Sequence, residues 1–552
     1  MGRGSNPVPI LGSQFLVLGS QFAGEGVAGV RYIPNVLGLI REHRSFFLTA
    51  TLAGLALRLM FFVYFPTVTD DSRNYADLAR NWLQHGVYGQ TQAGPQGIGI
   101  FPTDTRLPGY PAFLAGIFWL FGLGNFRAVM LTQILVDLAT CLIVADLTRR
   151  VVSERAAKIA FLLAALCPFL ANYASAVLTE TLEIFFTALA LDAAAAALNR
   201  IRDGGAGMSG GMSGKMNERK LWAATGAAIA ACILLRPDGG ILLAAVLLYL
   251  AMAAPKGAAD SGEFSASLKR CPDTKPDTKP EVFRRALVAG VVLAVFALAP
   301  LAPWTIRNFR ILHHFQPLAP RYANEMDETV LRGFNRWVKT WIVDYASVEE
   351  IYWNVPGDKI DPEKLPSRAF DSPAEKDATL AVIADYNQSQ DLTLQMDARF
   401  GSLATDRIRA HPVRYYVVLP TLRVADMWLR PRTEILPPDP RWWEFNDDAK
   451  SSVMAVGFGL LNLAYVAAGL WAVFRRTSPR ESPSKSRRKS HRKFGGPSDI
   501  RWAGLLVTFL LLRSAFLGTL ENPEPRYTLE CYPAMIVLAS SCLGRYGQGK
   551  PS

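Results

Sequence analysis

The chain has 552 residues, 50% of them hydrophobic, with a mean hydropathy of +0.15 and a formal net charge of +12. The apolar residues gather in blocks with the charges between them, which argues against an ordinary soluble core and for a polytopic membrane protein. The basic excess sits in loops flanking those blocks, where it acts as an orientation signal, so no nucleic-acid partner is expected.

In chain order, residues 1–45 read as a cytoplasmic lead-in. They lack the order of a signal peptide, and Arg31, Arg41, Glu42 and Arg44 stand just before the first apolar block. Candidate spans follow at roughly 46–66, 127–147, 157–175, 178–198, 221–236, 239–254, 286–304, 453–474, 502–519 and 531–546. Two further apolar stretches, 111–123 and 415–429, are short or interrupted. The second contains Pro420, Arg423 and Asp426, which a lipid-facing span tolerates poorly.

The linker 475–501 is dominated by arginine and lysine, and the loop 199–220 and the turn at Arg149, Arg150 and Arg155 lean the same way. With these placed inside, the spans alternate, and the two short stretches become in-plane or re-entrant helices on the outer face. The predicted fold is an all-α helical bundle of about 10–12 spans with juxtamembrane helices outside. Its parts are a transmembrane module over 46–304 with an outer loop 67–126, an outer-face subdomain over 305–452, and C-terminal spans over 453–546. The loops that follow Asp70, precede Glu180, surround Arg236 and contain Arg526 all fall on the outer side.

The chemistry-bearing residues begin with Asp70 and Asp71, just past the first span. The stripe Tyr75, Ala76, Ala79, Trp82 and Leu83 predicts an amphipathic surface helix starting near Ser72, with Asp71 or Ser72 as its cap. Arg106-Leu107-Pro108-Gly109-Tyr110-Pro111 opens the next apolar stretch. The six cysteines are scattered and His313-His314 is the only histidine pair, so neither a metal site nor a cofactor is expected.

An Asp-x-x-x-Tyr element after the first span, followed by Arg-x-Pro-Gly-Tyr-Pro, resembles the lipid-carrier-dependent glycosyltransferases of the GT-C fold. These include the dolichyl-phosphate-mannose protein mannosyltransferases and the lipid A aminoarabinose transferases. Leu178-Thr179-Glu180, Leu235-Arg236-Pro237, Pro303-Trp304-Thr305-Ile306-Arg307-Asn308 and Glu524-Pro525-Arg526-Tyr527 fit the same pattern over roughly 46–325 and 502–546. Residues 326–452 match nothing in it.

The resemblance implies a polyprenyl-phosphate sugar as donor and a GT-C type membrane enzyme. It places the protein in the plasma (inner) membrane, with its site on the non-cytoplasmic face. The acceptor would be a glycolipid, a polysaccharide or a protein, and the partners would otherwise be membrane lipid. A phosphate leaving group needs cations but no general acid, whereas the acceptor hydroxyl needs one base. Asp71 is the expected base, with Asp70 as fallback. Arg106, Arg307, Arg526 and Arg236 are the expected carrier-phosphate ligands, and Tyr75, Glu180 and Tyr110 the expected substrate contacts. Arg106 stands where the aminoarabinose transferases carry a lysine, a departure that keeps the charge but changes its geometry. A transporter or flippase of a lipid-linked saccharide is the alternative. It predicts internal repeats and acids deep in lipid.

Overall fold

The computed structural model describes residues 36–94, 97–203, 212–259, 279–321, 330–445, 448–477 and 498–543. Most of the expected lead-in and of the basic linker lies outside these residues. The fold is a polytopic helical bundle. Among the described residues, four helices are long and apolar enough to cross a membrane, or five if one bent pair counts as a span. They are α2 (Arg44–Tyr64), which follows the short α1 (Val36–Glu42), α5 (Phe126–Val151), the Glu180–Arg200 part of α8 (Glu180–Asp203) and the Ala449–Phe474 part of α17 (Ala449–Thr477).

Several expected spans differ in detail. The stretch 157–175 is not one helix but two, α6 (Glu154–Ala165) and α7 (Pro168–Tyr173). Pro168 has no N–H to continue the ladder and clashes with the preceding turn, so the helix breaks there. The stretch 286–304 bends by 42° between α11 (Lys279–Leu298) and α12 (Leu301–Ile311), at Pro300. The first short stretch is the 13-residue helix α4 (Gly109–Phe121), and the last span is the 12-residue α19 (Tyr532–Leu543), entered through a 3-10 turn.

The bundle core joins α5, α6, α8, α9 (Met212–Leu235), α10 (Gly240–Ala259), α11 and α19 through small and branched side chains such as Ala157, Ala160, Ala188, Ala194, Leu191 and Ile229. The alanine rows on α6 and α8 let backbones approach closely, the usual basis of helix association where lipid removes the hydrophobic driving force.

Two parts lie beside this core. The loop after α3 (Asp70–His85) forms an antiparallel hairpin, β1 (Gly89–Gly94) and β2 (Gly97–Pro102), which pairs Gly89 with Pro102. Among the described residues, that hairpin is the one sheet that amends the all-α expectation. Residues 331–410 form a compact unit around Phe334, Trp337, Trp341, Ile383, Tyr386 and Phe400, a core separate from that of the bundle. Its helices α13 (Arg332–Val338), α14 (Pro373–Ser389) and α15 (Leu394–Ala410) make it an aromatic-rich subdomain. The 415–429 stretch ends in α16 (Leu419–Leu429), which packs against α17 and α18 (Ser498–Leu517).

Candidate active site

The turn after α2 is built from Thr69-Asp70-Asp71-Ser72. Thr69, not Asp71 or Ser72, is the helix cap. Its Oγ1 accepts from the Ser72 N–H at 3.3 Å while Ser72 Oγ accepts from the Thr69 N–H at 3.0 Å. This reciprocal box caps α3 one residue before the acids, which then occupy its first turn, where the helix dipole favours negative charge. Asp70 and Asp71 therefore diverge as neighbours on a helix rather than on a strand. The Asp70 side chain is 91% exposed and pairs with Arg73 at 2.7 Å. Asp71 turns inward and is 32% exposed.

Three backbone features bring distant loops to Asp71. Thr67 forms a parallel bridge with the segment before α8: its N–H donates to Ser175 O and its carbonyl accepts from the Val177 N–H, both at 3.1 Å. That register sets Asp71 beside the start of α8 at Glu180. Gly109 lies so close to the end of α9 that a Cβ there would sit 2.5 Å from Leu234 O, so only glycine lets the Arg106 loop reach the Arg236 turn. Gly239 is equally tight against Cys232, which closes the Arg236-Pro237-Asp238-Gly239 turn.

The result is a network of carboxylates and guanidiniums at one end of the bundle. Arg106 Nη2 donates to Asp71 Oδ1 at 2.9 Å. Arg526 approaches Asp71 Oδ2 at 3.5 Å, Glu180 at 3.7 Å and Glu524 at 2.6 Å. Arg236 lies 3.8 Å from Glu180, 3.6 Å from Glu183 and 3.4 Å from Asp238. The Tyr527 ring is contacted by two guanidiniums, Arg236 at 4.5 Å and Arg526 at 5.5 Å from its centre. Arg106 lies 5.8 Å from the centre of the Tyr75 ring.

Burial alone would raise the Asp71 carboxyl, but Arg526 and Arg106 overcome it and hold it below the usual carboxylate range. Burial works against the charge on Arg106 and Arg526 as well. The neighbouring Tyr75 and Asp71 for Arg106, and Glu524, Tyr527 and Glu180 for Arg526, restore it and raise both. Burial pushes the Tyr75 hydroxyl up to about 12, so it is neutral at physiological pH.

Five of the expected residues thus meet in one place: Asp71, Arg106, Arg526, Arg236 and Glu180. Tyr75 lies against them beneath Arg106, whereas Asp70, Arg307 and Tyr110 are placed elsewhere. Arg307 donates to Thr103 O at 2.7 Å, Tyr88 O at 2.5 Å and Asn308 Oδ1 at 2.9 Å, and lies against Tyr88 and Trp304. It ties the base of the hairpin to α12, with its donors directed at protein carbonyls rather than at a cavity. Tyr110 is fully buried and donates to Gln133 Oε1 at 2.7 Å, so its ring is core. Tyr75 is nearly buried beneath Arg106 and packs edge-on against Tyr110. Tyr322, a further aromatic candidate, lies outside the described residues.

Sequence reasoning gave no role to Glu183, Asp238, Glu524, Glu530 and Arg513. Arg513 Nη1 lies 2.8 Å from Asp238 Oδ2, and its Nη2 lies 2.6 Å from Glu530 Oε1, forming a buried layer under the network. An arginine inside the apolar block 502–519 was the available signal, since ionisable groups in such blocks are expensive unless partnered. Among the described residues, no group of three or more His, Cys, Asp and Glu is placed to hold a metal ion.

No protein-family model matches the chain, and no curated protein sequence does. Its fold is similar to that of an oligosaccharyltransferase from Archaeoglobus fulgidus tethered to an acceptor peptide, at 14% identity and a TM-score of 0.45. That match covers 90% of this chain and 49% of the archaeal one, so this chain spans about half its length. The same archaeal protein in complex with an inhibitory peptide and a dolichol-phosphate aligns at 15% identity, with a TM-score of 0.44, over 91% of this chain and 50% of that one. ArnT from Cupriavidus metallidurans, bound to undecaprenyl phosphate, aligns at 14% identity, with a TM-score of 0.34, over 90% of this chain and 77% of that one.

Proposed function

We propose that the chain is an integral-membrane glycosyltransferase of the GT-C type. It transfers a sugar from a polyprenyl-phosphate carrier to an acceptor hydroxyl, with inversion, at the non-cytoplasmic face of the plasma membrane. One observation carries the reading: the partly exposed Asp71 carboxylate lies between the Arg106 and Arg526 guanidiniums, at 2.9 and 3.5 Å.

In the proposed reaction the acceptor oxygen attacks the anomeric carbon, and the bond from that carbon to the phosphate oxygen breaks. The phosphate leaves with the electron pair, so it needs cations rather than an acid, and the two guanidiniums supply charge in a fork suited to paired oxygens. The acceptor proton passes to Asp71, which needs no partner acid because the leaving group is already an anion. Glu180, nearly buried behind Arg526 at 3.7 Å, adds negative charge beside the guanidinium and, among the described residues, has one carboxylate oxygen without a hydrogen-bond partner. No metal or organic cofactor enters this scheme.

The test is transfer of label from a radiolabelled polyprenyl-phosphate sugar to envelope fractions by the purified protein in lipid. Transfer by the wild type and none by Asp71→Asn, with that variant still folded, is the expected result. Equal transfer by both proteins removes Asp71 as the base, and no transfer by the wild type with any polyprenyl-phosphate sugar removes the reaction class.

A further inference from the structure

The Asp71 carboxylate presents a chemical difficulty as it stands. A base should be poised near the working pH, yet two guanidiniums hold this one ionised and below the ordinary carboxylate range. The same two guanidiniums are the natural seat of a phosphate. They are already taken, each by a different oxygen of Asp71, Oδ1 on Arg106 and Oδ2 on Arg526. A carboxylate spanning two guanidiniums with its paired oxygens has the arrangement a phosphate adopts between the same groups.

Resting on the transferase reading, we infer that Asp71 is the internal occupant of the phosphate subsite. A phosphate ester and the Asp71 carboxylate compete for Arg106 and Arg526, so arrival of the carrier displaces the base it will use.

Three features favour displacement of Asp71 over any other group. First, Asp71 is the accessible acid of the network: its side chain is 32% exposed, whereas Glu180, on the other side of Arg526, is 3% exposed and fixed at the head of α8. Second, the Asp71–Arg526 contact at 3.5 Å is longer than the 2.6 Å contact that anchors Arg526 to Glu524, so Arg526 keeps its place when Asp71 leaves. Third, Asp71 stands in the first turn of a helix whose start is held by Thr69 and Ser72, so its side chain can turn away without unwinding α3. Once the guanidiniums face phosphate, the carboxylate loses its two cations and gains an anionic neighbour. Both changes strengthen it as a proton acceptor. The base is weak in the empty site and becomes strong only with the carrier bound.

A carboxylate that merely stabilised the site would help the carrier to bind; a competing one hinders it. Binding of undecaprenyl phosphate to the full chain in nanodiscs, with undecaprenol as the uncharged control, separates these. Asp71→Asn should bind undecaprenyl phosphate about fivefold tighter than wild type, the scale of a partly exposed ion pair no longer broken on binding. Undecaprenol binding should not change. Arg106→Gln should cost more affinity in the Asp71→Asn background than in the wild type, because there the guanidinium has no prior partner to surrender.

Equal or weaker phosphate binding by a folded Asp71→Asn overturns the proposal. If that variant does not fold, Asp71→Ser takes its place, and failure of both to fold assigns the carboxylate to the scaffold and overturns it equally. Wild type that binds no undecaprenyl phosphate in any condition points instead to failure of the transferase reading itself.

Discussion

Two carboxylate–arginine sites in this protein use the same chemistry to opposite ends. Within the bundle, Arg58 donates to Asp137 Oδ2 at 2.7 Å, to Gly54 O at 2.8 Å and to Ala165 O at 2.7 Å, and neither side chain of the pair is more than 2% exposed. Ala165 ends α6 just before the Pro168 break, so Arg58 satisfies a carbonyl that the interrupted helix leaves open. At the bundle end, Asp71, Arg106, Arg526 and Arg236 meet over longer distances, several between 3.4 and 3.8 Å, and Asp71 reaches the surface. A closed pair with every donor satisfied holds the fold together, whereas an open network with long contacts is what the proposed carrier site requires.

The comparison breaks most visibly at Arg58. Arg58→Ala leaves Asp137 as an uncompensated buried charge and should destabilise the protein by about 3–5 kcal/mol, read as a lost or lowered melting transition in detergent. Replacing both partners with apolar residues (Arg58→Met with Asp137→Leu) should recover most of that. A wild-type melting curve for the single variant would mean that the buried pair is not structural.

At the open site the signature reverses. Asp71→Asn should lower sugar transfer by about 10²–10⁴-fold while moving folding stability by less than about 1 kcal/mol. Next in size, Arg106→Gln and Arg526→Gln should each weaken undecaprenyl-phosphate binding by about 1.5–3 kcal/mol, the scale of a charge-assisted hydrogen bond. Arg106→Lys should fall between glutamine and wild type, since it keeps the charge and loses the fork. Arg307→Gln sharpens the boundary of the site: with its donors on Tyr88 and Thr103, its carrier affinity should stay within about threefold of wild type, as for a substitution outside the binding groups.

The smallest effect is on pH dependence. The folded Asp71 carboxyl lies below its unfolded value of about 3.9, so its stabilising contribution is present above that value. It is lost as pH falls through the lower, folded one. Because a third of the side chain is exposed, the contribution should stay under about 1 kcal/mol. Melting of wild type and Asp71→Asn across the acid range would show it as a gap that closes on acidification.

Much of this was legible in the chain. The Pro-Gly and Arg-Pro elements mark their turns because glycine and proline punctuate backbone conformation locally, and Gly109 and Gly239 are where close approach requires them. The hairpin was not legible: both strands are rich in glycine, Gly89–Gly94 has no apolar alternation, and Gly97–Pro102 alternates only at Ile98 and Ile100 before it ends in proline. The helix cap was ambiguous because Thr69, Asp70, Asp71 and Ser72 are all good caps, and only the Thr69–Ser72 reciprocity selects one. Arg307 looked like Arg106 in sequence, and no local signal separates an arginine that meets carbonyls from one that meets a carboxylate. Asp137 lies within an apolar block, and nothing around it in the sequence points to its partner Arg58, 79 residues away.

By itself the sequence determined which segments prefer lipid and which loops lie between them, because transfer from water to hydrocarbon adds up residue by residue over a single helix. It also placed the motif-bearing loops on one predicted face, through the charge of the linkers. Only the tertiary structure decided which charges meet. Asp71 and Arg526 come from opposite ends of the chain, and their separation depends on how the helices pack between them, through the Thr67 bridge and the Gly109 contact. Pairing falls off steeply with distance and exposure, so it is a property of the assembled bundle and not of any one segment.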